Sequence, residues 1–202
     1  MITCIFENSA KAIEAILSLH FPEGTILDVT AGQGTFWRLT SGRKITKGDL
    51  LNRDDRDYIG DARNLPFSDA SFDLAVLDPP FKWVGRRYDR RYGQSHLKFN
   101  TETKVDRLYY SAIPELFRVA RQGAIIKLVD GTDGHRHFPR LARIAEFIKA
   151  LNGLEIHDSA IIVRKGIPNN LVPGKKQRFF RRPISHFLIY KFEGNPKRGI
   201  RF

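Results

Sequence analysis

The chain has a single cysteine, Cys4, in 202 residues. That excludes an internal disulfide and fits a reducing compartment, so a cytoplasmic protein is expected. No apolar run approaches the ~18 residues of a membrane-spanning helix, and the N-terminus lacks a basic flank followed by an apolar stretch. Neither a span nor a leader is expected. Internal repeats and low-complexity tracts are absent. His135 and His137 stand two apart with no cysteine or carboxylate at ligand spacing, so no metal is expected. Acidic residues are also scarce, 22 against 34 Lys and Arg, which leaves a net charge of +12. A length of 202 residues and 42% hydrophobic content fit one globular domain over 1–202 with a full α/β core.

The positive excess is clustered. Residues 1–81 hold 8 Lys/Arg against 12 Asp/Glu, residues 82–110 hold 8 against 3, and residues 164–183 hold 7 against none. Two basic segments beside an acidic half imply a polyanionic partner, a nucleic acid. The reading places basic loop insertions at about 82–106 and 164–183. In the first, basic and aromatic side chains interleave without a helical period. Lys82, Arg86, Arg87, Arg90 and Arg91 are candidates for phosphates, and Trp83 and Tyr88 for stacking on bases. Lys175, Lys176, Arg178, Arg181 and Arg182 are the phosphate candidates of the second.

What is present in strength is a set of short apolar strands, each ending in polar residues. Leu74 to Leu77 is a continuous apolar run of the kind found in a parallel strand covered on both faces. It stops at Asp78-Pro79-Pro80-Phe81, where the prolines cannot donate to a sheet. Asp78 offers carboxylate oxygens, Pro79 a carbonyl acceptor, and Phe81 a flat apolar face. Two acceptors beside a stacking ring suit a planar heterocycle bearing an exocyclic amine.

Upstream, Thr25 to Thr30 reads as a strand running into Ala31-Gly32-Gln33-Gly34 and a second helix. Gly32 and Gly34 allow close backbone approach to a ligand. Trp37 stands where a dinucleotide fingerprint needs a third small residue. Asp49, at the end of a strand over about 45–50, follows Asp28 at the spacing of a ribose-binding acid. Residues 9–20 read as a first helix with Ser9 as its cap. A helix is expected over 111–121, with Pro114 in its first turn and Gly123 as its terminator. Ala124 to Asp130 follows as a strand, then a helix ending at Gly153, and a final hairpin of 154–163 with 186–192.

The Asp-Pro-Pro-Phe tetrapeptide resembles the catalytic motif of the amino-methyltransferases that act on adenine N6 or cytosine N4. The Asp28-x-Thr30-x-Gly32-x-Gly34 turn resembles the cofactor-binding turn of class I S-adenosylmethionine methyltransferases. The run Asp61 to Asp73, the strand containing Lys127, and His186 to Lys191 resemble further parts of the nucleobase branch. The pattern is similar to small phage- or plasmid-type members. The resemblance implies a Rossmann-like α/β fold: a mostly parallel seven-stranded sheet of order 3-2-1-4-5-7-6, with helices on both faces. It implies S-adenosylmethionine lined by Asp28, Thr30, Gly32, Gly34, Asp49, Asp61 and Ala62. Asp61 takes the place of the family's adenine-amine acceptor, and Lys127 that of a strand lysine. Catalysis falls to Asp78, Pro79, Pro80 and Phe81, on an amine of DNA before RNA. A base methyltransferase for RNA (guanine N2 or adenine N6) is one alternative reading. A non-catalytic nucleic-acid-binding module that keeps the fold is another.

Overall fold

The structure, a computed structural model, describes residues 3–51, 55–79, 102–132, 137–163 and 184–192. Its strands are β1 (Ile5–Phe6), β2 (Thr25–Asp28), β3 (Lys44–Asp49), β4 (Tyr58–Ile59), β5 (Phe72–Leu77), β6 (Ala120–Leu128), β7 (Gly131–Thr132), β8 (His137–Phe138), β9 (Asp158–Val163) and β10 (Ile184–Lys191). The helices are α1 (Ser9–His20), α2 (Glu102–Val119) and α3 (Arg140–Asn152), with a 3-10 helix over Thr35–Leu39.

Eight strands form one sheet, in the order β1-β9-β10-β6-β5-β2-β3-β4. Read from the other edge, β4, β3, β2, β5, β6, β10 and β9 reproduce the expected 3-2-1-4-5-7-6. The eighth strand, β1, adds an N-terminal edge parallel to β9. β10 runs antiparallel to both its neighbours. β9 is therefore parallel to β6, and Val163 ends it at the sheet edge where Asp28, Leu77 and Leu128 end their own strands. β7 and β8 form a separate two-stranded ribbon. No helix among the described residues is long and apolar enough to cross a membrane.

Each face of the sheet has its own core. On one, α1 and the 3-10 helix bring Ile13, Ile16, Leu17, Phe36 and Trp37 against Ile26, Val76, Ile125 and Phe187. On the other, α2 and α3 bring Leu108, Tyr109, Ile113, Leu116, Ile144 and Ile148 against Leu27, Ala75, Ile126 and Leu188. The alternation of partners along each strand is the period of two that a sheet covered on both faces imposes.

Four local expectations are corrected. The helix cap is Asn8, not Ser9: its side chain accepts from Lys11 N. The glycine turn leads into a five-residue 3-10 helix rather than a longer α-helix. α2 begins at Glu102, nine residues before the expected start, so the first basic insertion is shorter than read and Pro114 lies deep inside the helix. An interior proline forfeits the bond to the carbonyl four residues back and costs about 3 kcal/mol. Val105, Leu108, Tyr109, Ala112, Ile113 and Leu116 are all buried along one stripe. At roughly 1.5–3 kcal/mol for each large side chain, that burial outweighs the proline. Finally, Gly123 does not end a helix but lies within β6. A Cβ there would stand 2.2 Å from the Tyr190 carbonyl oxygen of β10, so the close approach of two strands requires glycine.

The run Asn64 to Asp73 serves as a strut. Arg118 of α2 donates to the carbonyls of Phe67 (2.7 Å) and Leu65 (3.1 Å), and Glu115 accepts from Leu65 N (2.7 Å). Asp73 accepts from both the backbone and the hydroxyl of Thr25, which ties the start of β5 to the start of β2. That alignment brings the C-terminal ends of β2 and β5 side by side.

Candidate active site

The site is built where β2, β3, β5 and β6 end. Asp28 closes β2 and is 2% exposed. Its Oδ1 accepts from Thr30 N (3.0 Å) and its Oδ2 from the Trp37 indole N–H (2.7 Å). Burial pushes the Asp28 carboxyl up to about 7, against the pull of those two donors; the nearby Asp78 and Asp49 push in the same direction as burial. Asp28 is thus a scaffold for the turn, with both oxygens engaged by protein donors.

The turn itself holds Gly32 at φ 54° and Gly34 at φ 65°, in the left-handed region. Among the described residues, a Cβ on Gly32 would meet only the Thr30 carbonyl, at 3.7 Å, so they leave space beside the turn there. Asp49, at the end of β3, reaches across it: Oδ2 accepts from Gly32 N (2.8 Å) and Oδ1 from Leu51 N (3.0 Å). Arg56 donates to the Gly32 carbonyl and pairs with Asp55 at 2.9 Å, its side chain 1% exposed. Sequence reading missed Arg56, which lies among charged residues that looked like a solvated loop.

Beneath the turn, the Tyr58 ring packs against Gly48. A Cβ at Gly48 would lie 1.9 Å from the ring, so glycine is required for this contact. Burial, with Asp28 and Asp49 nearby, raises the Tyr58 hydroxyl above its ordinary value, and that hydroxyl has no hydrogen-bond partner among the described residues. Asp61 is partly exposed and both its oxygens take the Arg63 guanidinium, which holds its carboxyl below the usual range. Ala62 is buried in the core.

Asp78 follows β5 directly. Its backbone N–H donates to Thr30 Oγ1 (2.7 Å), which ties the acceptor turn to the glycine turn. Its carboxylate Oδ2 lies 3.0 Å from Lys127 Nζ of β6. The ammonium also lies 4.8 Å from the centre of the Phe36 ring and 5.8 Å from that of Phe187. Pro79 is buried.

The structure therefore gathers Asp28, Thr30, Gly32, Gly34, Asp49, Asp78 and Pro79 at one edge of the sheet, while Asp61 is held by Arg63 just after β4. Pro80, Phe81, Lys82, Trp83, Arg86, Arg87, Tyr88, Arg90 and Arg91 lie outside the described residues. So do Lys175, Lys176, Arg178, Arg181 and Arg182.

No protein-family model and no curated protein matches the chain. Solved structures do. The chain is similar to 1,6-didemethyltoxoflavin-N1-methyltransferase of Burkholderia thailandensis, a structure with bound 1,6-didemethyltoxoflavin and S-adenosylhomocysteine. The TM-score is 0.55 at 16% identity, over 92% of this chain and 78% of that one. It is also similar to TrmN from Thermus thermophilus, with a TM-score of 0.52 at 16% identity, over 91% of this chain and 49% of that one. These likenesses show the fold, which is the Rossmann-like fold of S-adenosylmethionine-dependent methyltransferases.

Proposed function

We propose that this chain is an S-adenosylmethionine-dependent methyltransferase whose acceptor is the exocyclic amine of a nucleobase, adenine N6 or cytosine N4, in DNA before RNA. The observation that carries the reading is the position of Asp78. It stands at the C-terminal end of β5 beside the glycine turn, its backbone tied to Thr30 and its carboxylate to Lys127. In open α/β sheets ligands lie at that edge, where the strand order reverses between β2 and β5.

The residues present fit the cofactor. Gly32 and Gly34 form an open cradle that a side chain would fill. Asp49 faces the turn and accepts from Gly32 N, so a carboxylate stands beside the place of a ligand carrying ammonium and sulfonium charge. When bound, S-adenosylmethionine supplies a methyl group already activated on sulfur. The protein's part is alignment and charge placement. The lone pair of an amine on an aromatic ring is delocalised and weakly nucleophilic. Accepting its N–H bonds at Asp78 and at the Pro79 carbonyl draws the nitrogen toward tetrahedral geometry. The Asp78 carboxylate also stabilises the positive charge that the nitrogen gains, which is discharged when one of its N–H protons passes to solvent. Phe81 supplies the stacking face. A base within a duplex must first leave the stack, at a cost of a few kcal/mol.

The basic segments support a nucleic-acid acceptor. Segment 82–101 follows Pro79 and segment 164–183 follows Val163, and both residues lie at the edge where the site is built. The test is transfer of labelled methyl from S-adenosylmethionine to DNA, RNA and protein, with nucleoside mass spectrometry of the product. N6-methyladenine or N4-methylcytosine is expected. Label on protein alone, or on no macromolecule, would overturn the acceptor class.

A further inference from the structure

We propose that Lys127 is a positioning residue for the transfer: it orients the Asp78 carboxylate and does not itself touch the acceptor. The inference rests on the proposed chemistry at Asp78 and adds to it the residue that holds the acid in place. Lys127 is the penultimate residue of β6, on the apolar α1 face of the sheet. Its strand partner is Phe187, and Ile125 lies two residues before it on the same face. The side chain is 4% exposed. At such a position an aliphatic residue would pack at no electrostatic cost, whereas a buried ammonium must recover its lost hydration. It does so through Asp78 at 3.0 Å and the faces of Phe36 at 4.8 Å and Phe187 at 5.8 Å.

The exposures divide the roles. Asp78 is 19% exposed and Lys127 4%, so Asp78 is the more accessible member of the pair and the ammonium lies behind it. A carboxylate turns about two soft side-chain torsions. The Thr30 bond fixes the Asp78 backbone and the Lys127 bond fixes one oxygen, so the plane of the carboxylate is set relative to the glycine turn. Misplacement of a reacting group by about 1 Å costs on the order of 100-fold in rate. Lys127 is thus a means of holding Asp78 within that tolerance.

The test is a double-mutant cycle on kcat with cofactor affinity measured in parallel. Lys127→Met should lower kcat about 10- to 100-fold, on the scale of such misplacement, while leaving the Kd for S-adenosylhomocysteine unchanged. Asp78→Asn should lower kcat further, and Lys127→Met added to it should cause almost no additional loss, because the lysine then has no carboxylate to orient. Lys127→Arg, which keeps the charge, should restore part of the turnover. If the Met variant does not fold, Lys127→Gln takes its place in the same cycle. Additive losses, parental turnover in the neutral variants, or a fall in cofactor affinity matching the fall in kcat would each overturn the proposal. A parent protein that methylates no nucleobase overturns the functional reading and this proposal with it. A parent that is active with additive variants overturns this proposal alone.

Discussion

The indole N–H of Trp37 donates to Asp28 Oδ2 at 2.7 Å inside the core, where Asp28 is 2% exposed and Trp37 8%. The residue that fills the place of a third small residue after the glycine turn is therefore the partner of the acid that ends β2. A dinucleotide fingerprint needs a close helix–strand contact at that place. This chain spends the position on a hydrogen bond that anchors the turn from below.

Asp28 gives the stability of the protein a pH dependence above the usual acid range. Its carboxyl titrates near 3.8 when unfolded and at about 7 when folded. Between those values the native state binds the extra proton, so stability falls as pH rises through the window and the loss is complete above it. At 1.36 kcal/mol per unit the effect is on the order of 4 kcal/mol at most. Asp28→Asn should flatten the dependence of the urea midpoint between pH 5 and 8. Asp61, Asp73, Glu115 and Asp158 have depressed carboxyls, whose contributions are lost only as pH falls through their own lower range. Burial lowers the His186 pKa, which acts in the opposite direction to Asp28 but equally in both proteins. Parallel curves for parent and variant would show that Asp28 is ionised throughout.

Gly48→Ala should destabilise the protein by about 1–3 kcal/mol or more through overpacking against Tyr58. Adding Tyr58→Leu should recover part of the loss. The Gly48 carbonyl also accepts from Ala31 N at 2.9 Å, so cofactor affinity should drop along with stability. Chemical denaturation and calorimetry on the parent and the two variants check both effects. Equal stability of parent and Gly48→Ala would mean that the ring can move aside.

The buried pair of Arg140 and Asp106, 2.6 Å apart and 0% and 7% exposed, joins α3 to α2. Among the described residues, removing Arg140 leaves the buried Asp106 only the longer, half-exposed contact of Arg143 at 3.5 Å. Arg140→Met alone should cost about 3–5 kcal/mol, and Arg140→Met with Asp106→Leu should recover most of that. Cofactor binding should persist in both where folding does, because neither residue belongs to the site. A single variant as stable as the double would show that Arg143 or solvent compensates Asp106 in place of Arg140.

Converting Lys175, Lys176, Arg178, Arg181 and Arg182 to Ala should weaken nucleic-acid binding and leave cofactor affinity intact. If about four or five of them contact duplex phosphates, the log–log salt slope flattens by roughly 4 units. Trp83→Ala or Tyr88→Ala should instead cost about 1–3 kcal/mol with the slope unchanged, as lost stacking does. An unchanged slope in the five-site variant would separate segment 164–183 from the acceptor surface.

The strands and the glycine turn were legible in the sequence because their causes are local. Leu74 to Leu77 is apolar on both faces, Asp78 is followed by two prolines, and Gly32 and Gly34 take φ values that other residues avoid. Strand order followed from resemblance, and an eighth strand, β1, lay beyond it. The first half of α2 was hidden by its charge, although Val105, Leu108, Tyr109 and Ala112 recur at helical spacing. Gly123 looked like a helix stop because only the approach of Tyr190 from a strand distant in sequence reveals why a side chain cannot stand there. The site itself was decided by register. Val76 pairs with Ile125 and Leu77 with Ile126, so the next step along the two parallel strands sets Asp78 beside Lys127, 49 residues away. Residue type and spacing nominated the acid. The pairing of β5 with β6 chose its cation, since side chains so far apart in sequence meet only where hydrogen-bonded strands hold them in phase.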